Sequence, residues 1–417
     1  MSDKNQSDSM TEAPVKGDAS ISRRRLDLIK ESDVFENGNV VLSCRLVSDR
    51  AKAHRIWFEL PEKHLSMTTT SMDPFLLAAI FHGMREPTDI HVHGPVSEVL
   101  LRNLAEFQSV WNCWSPQKYV PVEIFAEVVD DSCQVRKHEA VAAFSGGVDS
   151  TYTVWARTIG GARKREVELK AGLFIHGFDI PLEQNLQFDR AADIAQQTLA
   201  DAGLELIRMK CNLYEPDWEM THAAAIAACL TLLKGRFSEG LIAATFPYDK
   251  LFFPWGSNPV TDHLLSSHDF SIVHDGASVS REAKEAHLYD WQVGYNNLRV
   301  CYEAADRDKN CCRCGKCLML YCSLMSQGLP LPASFGERMG AEALLSCTRL
   351  NEAFSRVFNL MVDKYQARGF GNEPWFRALE RCAQFNDKRL MLEKPVKNEF
   401  GNWLRVRRLK RLLSEGP

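Results

Sequence analysis

The fold is decided by one stretch of the sequence, Ala140-Val141-Ala142-Ala143-Phe144-Ser145-Gly146-Gly147-Val148-Asp149-Ser150. Its first five residues are a continuous run of apolar side chains, which is typical of a strand buried on both faces. Two adjacent glycines follow, and the pattern after them predicts a helix from residue 150 to about residue 162. A buried strand, a glycine turn and a helix in this order predict the first unit of a parallel α/β sheet.

The turn between this strand and this helix has the composition of an anion-binding loop. Gly146 and Gly147 let the backbone turn tightly and present successive N–H groups to a phosphate, and the helix N-terminus adds partial positive charge. Ser145 and Ser150 add hydroxyl groups, and Asp149 is expected to cap the helix or to hold a Mg²⁺ ion on the phosphates. The loop is not a Walker A motif, because no lysine precedes Ser150.

The alternation of strands and helices continues beyond this loop. Further buried strands are predicted at residues 169–175, 204–209 and 240–245, with helices at residues 185–202 and 222–234. This alternation predicts an α/β fold with a doubly wound parallel sheet over residues 138 to 330. In such sheets, ligands bind at the carboxyl ends of the strands.

The chain on either side of this region has a different pattern. Residues 1 to 28 are polar and poor in aromatic residues, which predicts a disordered tail. Residues 29 to 137 are predicted to form an α+β N-terminal domain, and residues 331 to 417 a helical C-terminal region. In the N-terminal domain we expect strands at residues 40–46, 55–60 and 122–128 and helices at residues 74–84 and 97–110.

The composition excludes several classes of protein. The 417 residues are 45% hydrophobic and 25% charged, with a formal net charge of −4. These values exclude a collagen, a coiled coil or a wholly disordered chain, and they give no overall positive charge that would favour nucleic acid. No apolar run is long enough for a membrane helix, and the N-terminal residues lack the apolar core of a secretory signal. A cytoplasmic protein of two or three domains is expected.

Four of the thirteen cysteines have the spacing of a metal site, Cys301-x9-Cys311-x2-Cys314-x2-Cys317. Four thiolates match the closed tetrahedral site of a structural Zn²⁺ ion. Cys312 is an alternative ligand to Cys311, and an iron–sulfur cluster is a competing interpretation. The odd number of cysteines and the missing signal indicate reduced thiols in a reducing compartment.

Two other features could have a binding function, but the simpler interpretation is that their side chains are ordinary surface or hydrogen-bonded groups. His91 and His93 alternate on a possible strand and could bind a metal, but no third ligand accompanies them. Residues 403 to 413 are predicted to form a basic amphipathic helix that could contact an acidic partner or RNA. A solvated helix face is the simpler explanation.

The motif Ser145-Gly146-Gly147-Val148-Asp149-Ser150 resembles the signature of the PP-loop ATP pyrophosphatases. Members of this superfamily have an adenine nucleotide alpha-hydrolase-like fold, cleave ATP between the α- and β-phosphates, and adenylate a carboxylate or carbonyl. The resemblance implies ATP and Mg²⁺ as cofactors, and it places Phe174 and His176 near adenine and ribose. It also implies nucleotide contacts from Phe144, Ser145, Gly146, Gly147, Val148, Asp149 and Ser150.

Together, the loop and the cysteine motif resemble the 7-cyano-7-deazaguanine synthases over about residues 140 to 325. That family adenylates 7-carboxy-7-deazaguanine, adds ammonia to give an amide, and dehydrates the amide to a nitrile with a second ATP; its zinc is structural. A Gly-Arg-Asn triplet of the family is replaced here by Thr221-His222-Ala223, and the front and tail regions are extra. The chain therefore resembles a divergent branch. Some divergent relatives occur in bacterial anti-phage systems of the CBASS type, where a deazaguanine-like group is attached to a protein amine.

The polar segment from residue 254 to residue 284 supplies candidates for binding the acid. Arg281 or Lys284 could hold its carboxylate, and Asp262 or Asp275 could accept hydrogen bonds from its ring N–H groups. Lys284 also falls where the synthase family has a lysine. In the alternative interpretation, Asp262 caps a helix that starts near residue 263, and Arg281 belongs to a solvated helix start.

The predicted function is an AMP-forming carbon–nitrogen ligase with Asp149, Ser150, Arg281 and Lys284 as catalytic residues. Its partners would be a small heterocyclic carboxylate and an amine, either ammonia or a partner protein, and a homo-oligomer is expected. The front region is expected to select the amine and to be dispensable for adenylation. The alternatives are a tRNA-modifying PP-loop enzyme, for which Cys211 and Cys229 are available, and a non-catalytic nucleotide-binding protein.

Overall fold

The structure is a computed structural model that describes residues 24–48, 53–130, 138–161, 167–215, 217–251 and 254–394, together with residues 406, 408–414 and 416. The described residues form one eleven-stranded sheet. Its strands are β1 (Arg24–Lys30), β2 (Val34–Glu36), β3 (Asn39–Ser48), β4 (His54–Pro61), β5 (Thr88–Ser97), β6 (Ile124–Asp130), β7 (Glu139–Ala143), β8 (Glu168–His176), β9 (Glu205–Cys211), β10 (Glu239–Ala243) and β11 (Ser271–Asp275).

Helices cover both faces of much of this sheet. Up to residue 394 they are α1 (Asp73–Arg85), α2 (Glu98–Trp114), α3 (Val148–Arg157), α4 (Asn185–Asp201), α5 (Trp218–Leu232), α6 (Arg281–Tyr289), α7 (Gln292–Asn296), α8 (Gly315–Gln327), α9 (Ala341–Leu345), α10 (Glu352–Ala367) and α11 (Pro374–Glu393). None of the described helices is both long and apolar enough to cross a bilayer.

The strands run in the order β11-β10-β7-β8-β9-β4-β3-β1-β5-β6, and β2 pairs with β3 outside this path. The five strands from β11 to β9 all pair in parallel. In the remainder, β1, β5 and β6 are also parallel neighbours, whereas β3 pairs antiparallel with β1 and β4. The predicted α/β class with a large, mostly parallel sheet is therefore confirmed.

The predicted domain boundary near residue 138 does not divide the sheet. Strand β4 pairs antiparallel with β9, with Phe58 opposite Cys211. Just beyond this pair, the Asn212 side chain accepts a hydrogen bond from Trp57 N (3.0 Å) and donates one to Arg55 O (2.6 Å). The front region therefore continues the sheet of the phosphate loop.

Alternation along the strands separates two hydrophobic cores, one on each face of the sheet. In β7, Val141 packs into the core that also contains α1, α2 and α5. Its neighbours Ala140 and Ala142 pack into the opposite core, with α3, α4, α8, α10 and α11. The small side chains of β7 are therefore needed because helices press on both faces of this strand.

Residues 24 to 28, which the composition assigned to a disordered tail, lie instead in β1. Leu26 and Leu28 are buried in the core, while Arg25 and Asp27 form an ion pair on the other face. The run of three arginines made the alternation of buried and exposed residues difficult to recognise. The predicted tail therefore extended too far along the chain. The rest of the predicted tail lies outside the described residues.

Two further differences concern element boundaries. Strand β11 was not predicted, because only Ile272 and Val273 are strongly apolar in it. Helix α3 ends at Arg157, earlier than predicted. The basic segment from residue 403 to residue 413 lies partly outside the described residues, and its described part is helical.

Candidate functional site

The predicted anion-binding loop joins β7 to α3 at the carboxyl end of the sheet. Phe144 N still pairs with Leu173 O of β8 at 2.9 Å, so the strand runs directly into the turn. Gly146 has a φ of +74°, in the left-handed region that favours glycine. Gly147 precedes α3, and its N–H donates to Ser145 Oγ at 3.3 Å. The N–H groups of the first helical turn, which have no partner within the helix, therefore lie at the end of this loop.

The two serines of the loop contact each other. Ser150 Oγ accepts a hydrogen bond from Ser145 N at 3.2 Å and donates one to Gly147 O at the same distance. The two hydroxyl oxygens are also 3.2 Å apart. Ser150 therefore holds the shape of the turn.

Three of the predicted catalytic residues meet beside the loop. Asp149 Oδ1 accepts a hydrogen bond from Lys284 Nζ at 3.0 Å, and its Oδ2 accepts one from Arg281 Nη1 at 2.6 Å. Lys284 Nζ also donates to Ala244 O, just after β10, at 2.6 Å. Since α6 carries both cations, this helix delivers two positive charges to the start of α3.

Burial and charge act in opposite directions on this cluster. Burial disfavours the ionised form of Asp149, but the neighbouring charges of Arg281 and Lys284 outweigh it, so that the pKa of Asp149 lies below its ordinary value. Burial likewise opposes the charge of Arg281, and Asp149 and Glu285 raise the pKa of Arg281 above its ordinary value. Asp149 and Arg281 are therefore both charged at neutral pH.

An arginine that the motif did not indicate, Arg299, supports the loop through hydrogen bonds to its backbone. The backbone N–H of Arg299 donates to Gly146 O at 2.8 Å, and its Nη2 donates to Ser145 O at 3.0 Å. Its side chain is 9% exposed. Because Cys301 follows two residues later, Arg299 joins the phosphate loop to the cysteine motif.

A cavity of about 280 Å³ lies beside the loop. Its lining includes Phe144, Ser145, Gly146, Phe174, Ala191, Ala195, Asn297 and Asn310. The apolar walls suit a planar ring, and the loop and two amides provide polar groups at its edge. Phe174, predicted near adenine, therefore lies where a nucleoside could be held.

His176 does not reach this cavity. It is fully buried, its Nε2 lies 2.8 Å from Pro181 O, and its ring stacks on Phe188 with centroids 4.3 Å apart. Burial lowers the pKa of His176. The predicted contact with ribose was wrong, because the histidine at the end of β8 packs into the core.

Asp262 and Asp275 are also engaged internally. The Asp262 carboxylate is fully buried and accepts hydrogen bonds from Ser257 Oγ (2.7 Å), His274 Nδ1 (2.8 Å) and Asn258 N (3.0 Å). Asp275 is 1% exposed and pairs with Arg157 Nη2 at 2.8 Å. The prediction that these carboxylates bind substrate is therefore corrected to a structural role. Asp262 closes the turn before it instead of capping the helix after it.

A group of aromatic rings lies at the same edge of the sheet. Trp218 is 4.6 Å from Phe178 and 6.0 Å from His222, while Trp255 is 5.5 Å from His222 and 5.4 Å from Phe246 (ring centroids). Phe246 follows two residues after Ala244, the acceptor of Lys284. The aromatic rings therefore begin next to the charged cluster.

The four predicted metal ligands converge. The Sγ atoms of Cys301, Cys311, Cys314 and Cys317 lie within 4.8 Å of one another, and those of Cys301 and Cys314 are 3.7 Å apart. Four sulfurs bound tetrahedrally at about 2.3 Å from one Zn²⁺ ion would be about 3.8 Å apart. The group could thus hold a single metal ion such as zinc, and the spacing favours one ion over a multi-iron cluster.

The other candidate ligands point elsewhere. Cys312 has a left-handed φ of +61°, and its thiol contacts Phe335 O at 3.2 Å. His93 lies between Asp27 (2.6 Å) and Glu127 (3.0 Å), and His91 stacks on Phe125. Within the described part of the chain, the four-cysteine group is the only group of three or more potential ligands whose ligand atoms all converge within 4.8 Å.

Comparisons with known proteins give no relative for this site: no family model, curated protein or solved structure matches the chain.

Proposed function

We propose that the protein is an AMP-forming ligase with an adenine nucleotide alpha-hydrolase-like fold, which joins a heterocyclic carboxylic acid to an amine through an acyl-adenylate. The observation that carries this proposal is the meeting of Asp149, Arg281 and Lys284 at the glycine turn. An anion loop followed by one carboxylate and two cations is suited to phosphoryl and carboxylate chemistry, in which electrostatic positioning supplies most of the catalysis.

In the proposed reaction, a carboxylate oxygen attacks the α-phosphorus of ATP, an O–P bond forms, and the bond to pyrophosphate breaks. The amine nitrogen then attacks the acyl carbon and loses a proton, and AMP leaves. Asp149 would hold the Mg²⁺ ion, which neutralises phosphate charge. Arg281 and Lys284 would orient the phosphates and the carboxylate.

The acid is proposed to be 7-carboxy-7-deazaguanine or a relative. This choice rests on the resemblance to the 7-cyano-7-deazaguanine synthases and on the aromatic group of Trp218, His222 and Trp255, whose faces can stack on a planar heterocycle. Ammonia would give an amide and, with a second ATP, a nitrile. A protein amine would give a stable amide, as expected for a relative in a defence system.

One alternative loses support from the thiols. A tRNA-thiolating enzyme needs an accessible nucleophilic cysteine. Cys211 and Cys229 have their sulfurs 3.8 Å apart, but both side chains are fully buried, and burial raises the pKa of Cys229. These two thiols are therefore poor nucleophiles.

The test is the release of pyrophosphate from ATP and Mg²⁺ with 7-carboxy-7-deazaguanine, with and without ammonium. We expect AMP and pyrophosphate in equal amounts, and product masses of the amide or nitrile. Lys284→Met should abolish release, whereas Lys364→Met, which removes a surface partner of Glu282, should not. Formation of ADP, or pyrophosphate release that is independent of any acid, contradicts the proposal.

A further inference from the structure

The buried carboxylate of Glu285 lies next to Arg281, one of the three residues of the cluster formed with Asp149 and Lys284. Glu285 is 1% exposed and lies one turn after Arg281 on α6. Its Oε1 accepts a hydrogen bond from Arg281 Nε at 3.2 Å, while Arg281 Nη1 donates to Asp149 at 2.6 Å. The planar guanidinium is therefore held at two different nitrogens by two carboxylates.

The second oxygen of Glu285 is anchored to a different helix. Its Oε2 accepts hydrogen bonds from Ser323 Oγ and from Gln327 Nε2 (2.9 Å), both on α8. Helix α8 begins directly after Cys314 and carries Cys317. Glu285 thus connects the helix of the cysteine motif to the guanidinium beside the phosphate loop.

We propose that Glu285 is a positioning residue for Arg281, and that its ionised carboxylate fixes the guanidinium so that the Nη atoms face the phosphate loop. An arginine held only at its tip can rotate about its long side chain, whereas contacts at both Nε and Nη1 fix the plane of the group. The catalytic role of Arg281 rests on the proposed function; the support of its side chain by Glu285 rests on these contacts.

The surroundings of Glu285 make this support sensitive to pH near neutrality. Burial raises the pKa of Glu285 to about 7, although Arg281 and the Ser323 hydroxyl favour its ionised form. The other charged or titratable groups near it are Glu282 of α6, Tyr295 of α7 and Tyr365 of α10. Below about pH 7 the carboxyl gains a proton, and its ion pair with Arg281 is lost.

The test uses the full chain and the pH profile of pyrophosphate release. Wild type should lose activity as the pH falls through about 7. Glu285→Gln should be roughly 10- to 100-fold slower at pH 8, because the guanidinium is misplaced, and it should lack this acid limb. Glu282→Gln makes the same chemical change on the same helix, away from Asp149, and should keep wild-type activity at pH 8. Because the charge of Glu282 raises the pKa of Glu285, this variant should retain the acid limb at the same or a slightly lower pH.

A second variant separates positioning from simple structural support. Ser323→Ala removes a donor that favours the ionised carboxylate, so that the acid limb should move to higher pH while activity at pH 9 equals that of wild type. A merely structural role would change stability without moving the limb. An unchanged limb in Ser323→Ala, or a wild-type profile in Glu285→Gln, overturns the proposal.

Binding of Mg²⁺–ATP distinguishes failure of this proposal from failure of the proposed function. The dissociation constant, measured by calorimetry at pH 6 and pH 8, should rise on acidification more steeply in wild type than in Glu285→Gln; the titration of ATP itself is common to both. If this difference is seen but no acid supports pyrophosphate release, the ligase assignment fails and the positioning role stands. If pyrophosphate is released and the difference is missing, Glu285 does not position Arg281.

Discussion

The two halves of the sheet bury their strands differently. Strands β7 to β11 have helices on both faces, so that neighbouring residues such as Val141 and Ala142 enter opposite cores. Strands β1, β3, β5 and β6 are covered by α1 and α2 on one face, and their other face carries ion pairs such as that of Asp27 with His93. In the half formed by β7 to β11, the strand ends remain open to a ligand. The cluster of Asp149, Arg281 and Lys284 lies at these strand ends.

Two aspartates show what this difference means for chemistry. Asp149 and Asp27 have side chains that are 18% and 19% exposed, and each contacts two basic side chains, Arg281 and Lys284 for the first and Arg25 and His93 for the second. In both, these partners hold the pKa of the carboxyl below its ordinary value, although burial opposes the ionised form more strongly at Asp149. What distinguishes Asp149 is its place at the start of a helix, beside N–H groups that can bind phosphate.

The largest expected effect is that of removing the front half. Deletion of residues 1 to 130 should leave a chain that does not fold cooperatively, because β9 loses β4 and α5 loses α1. It also leaves Lys234 without Asp73, its fully buried partner at 2.7 Å. Losing several buried apolar contacts at about 1.5–3 kcal/mol each exceeds a typical free energy of unfolding of about 5–15 kcal/mol.

Thermal unfolding of the purified fragment, followed by circular dichroism, checks this expectation. A cooperative transition together with ATP binding would contradict this expectation. It would show that the phosphate-loop half folds alone, in agreement with the domain boundary predicted near residue 138.

The matched aspartates give the second prediction. Asp149→Asn should lower the rate of pyrophosphate release by about 10²–10³-fold, the range known for losing one preorganised electrostatic group from an active site, and the chain should stay folded. Asp27→Asn should change the rate less than about 2-fold and the free energy of unfolding by about 1 kcal/mol or less. Steady-state rates and urea unfolding of both variants measure this contrast, and equal losses of activity would remove the distinction between the halves.

The third prediction concerns the cysteine motif. Cys314→Ser should lose the bound metal and several kcal/mol of stability, because binding free energy at a structural metal site is also folding free energy. Cys312→Ser should keep the metal, since this thiol contacts Phe335 O and is not a member of the group of four converging sulfurs. Elemental analysis of freshly reduced protein decides the matter; loss of metal in both variants would mean that Cys312 is a ligand.

The smallest effect is expected on the open face of the front half. Hydrogen bonds to Asp27 and Glu127 raise the pKa of His93 above its ordinary value. The stabilisation by His93 is therefore fully present below about pH 6.5 and is lost as the pH rises through the higher folded value. Because a third of the side chain is exposed (33%), the effect is at most about 1 kcal/mol.

Urea unfolding of wild type and His93→Gln at pH 6 and pH 9 tests the sign. The advantage of wild type should be larger at pH 6, and an advantage that grows toward pH 9 would contradict the assignment.

The sequence allowed prediction of the features that have a local pattern. The run from Ala140 to Phe144, the glycine turn and the four cysteines are each recognisable within a few residues, and the structure assembles them as expected. Arg281 and Lys284 were predicted as site residues because they are charged residues in a polar segment beyond the last predicted strand, and because Lys284 falls where the synthase family has a lysine. Both contact Asp149.

The errors come from burial, which residue type alone does not report. Asp262, Asp275 and His176 are polar residues near strand ends, but other side chains or backbone groups already satisfy them inside the protein. Arg299 and Glu285 were missed for the opposite reason. The first holds backbone carbonyls of the loop and the second binds a distant helix, so that neither has a neighbour in sequence that indicates its role.

The pairing of β4 with β9 has a consequence for synthesis on the ribosome. Trp57 and Asn212, which bond across this junction, are 155 positions apart in the chain. At about 5–20 residues per second, translation takes roughly 8–30 s to cover this distance. During this time the front strands have left the ribosome with the edge of β4 unpaired, and an unpaired strand edge is a template for aggregation. A nascent chain of this architecture therefore exposes an aggregation-prone strand edge until β9 has been made.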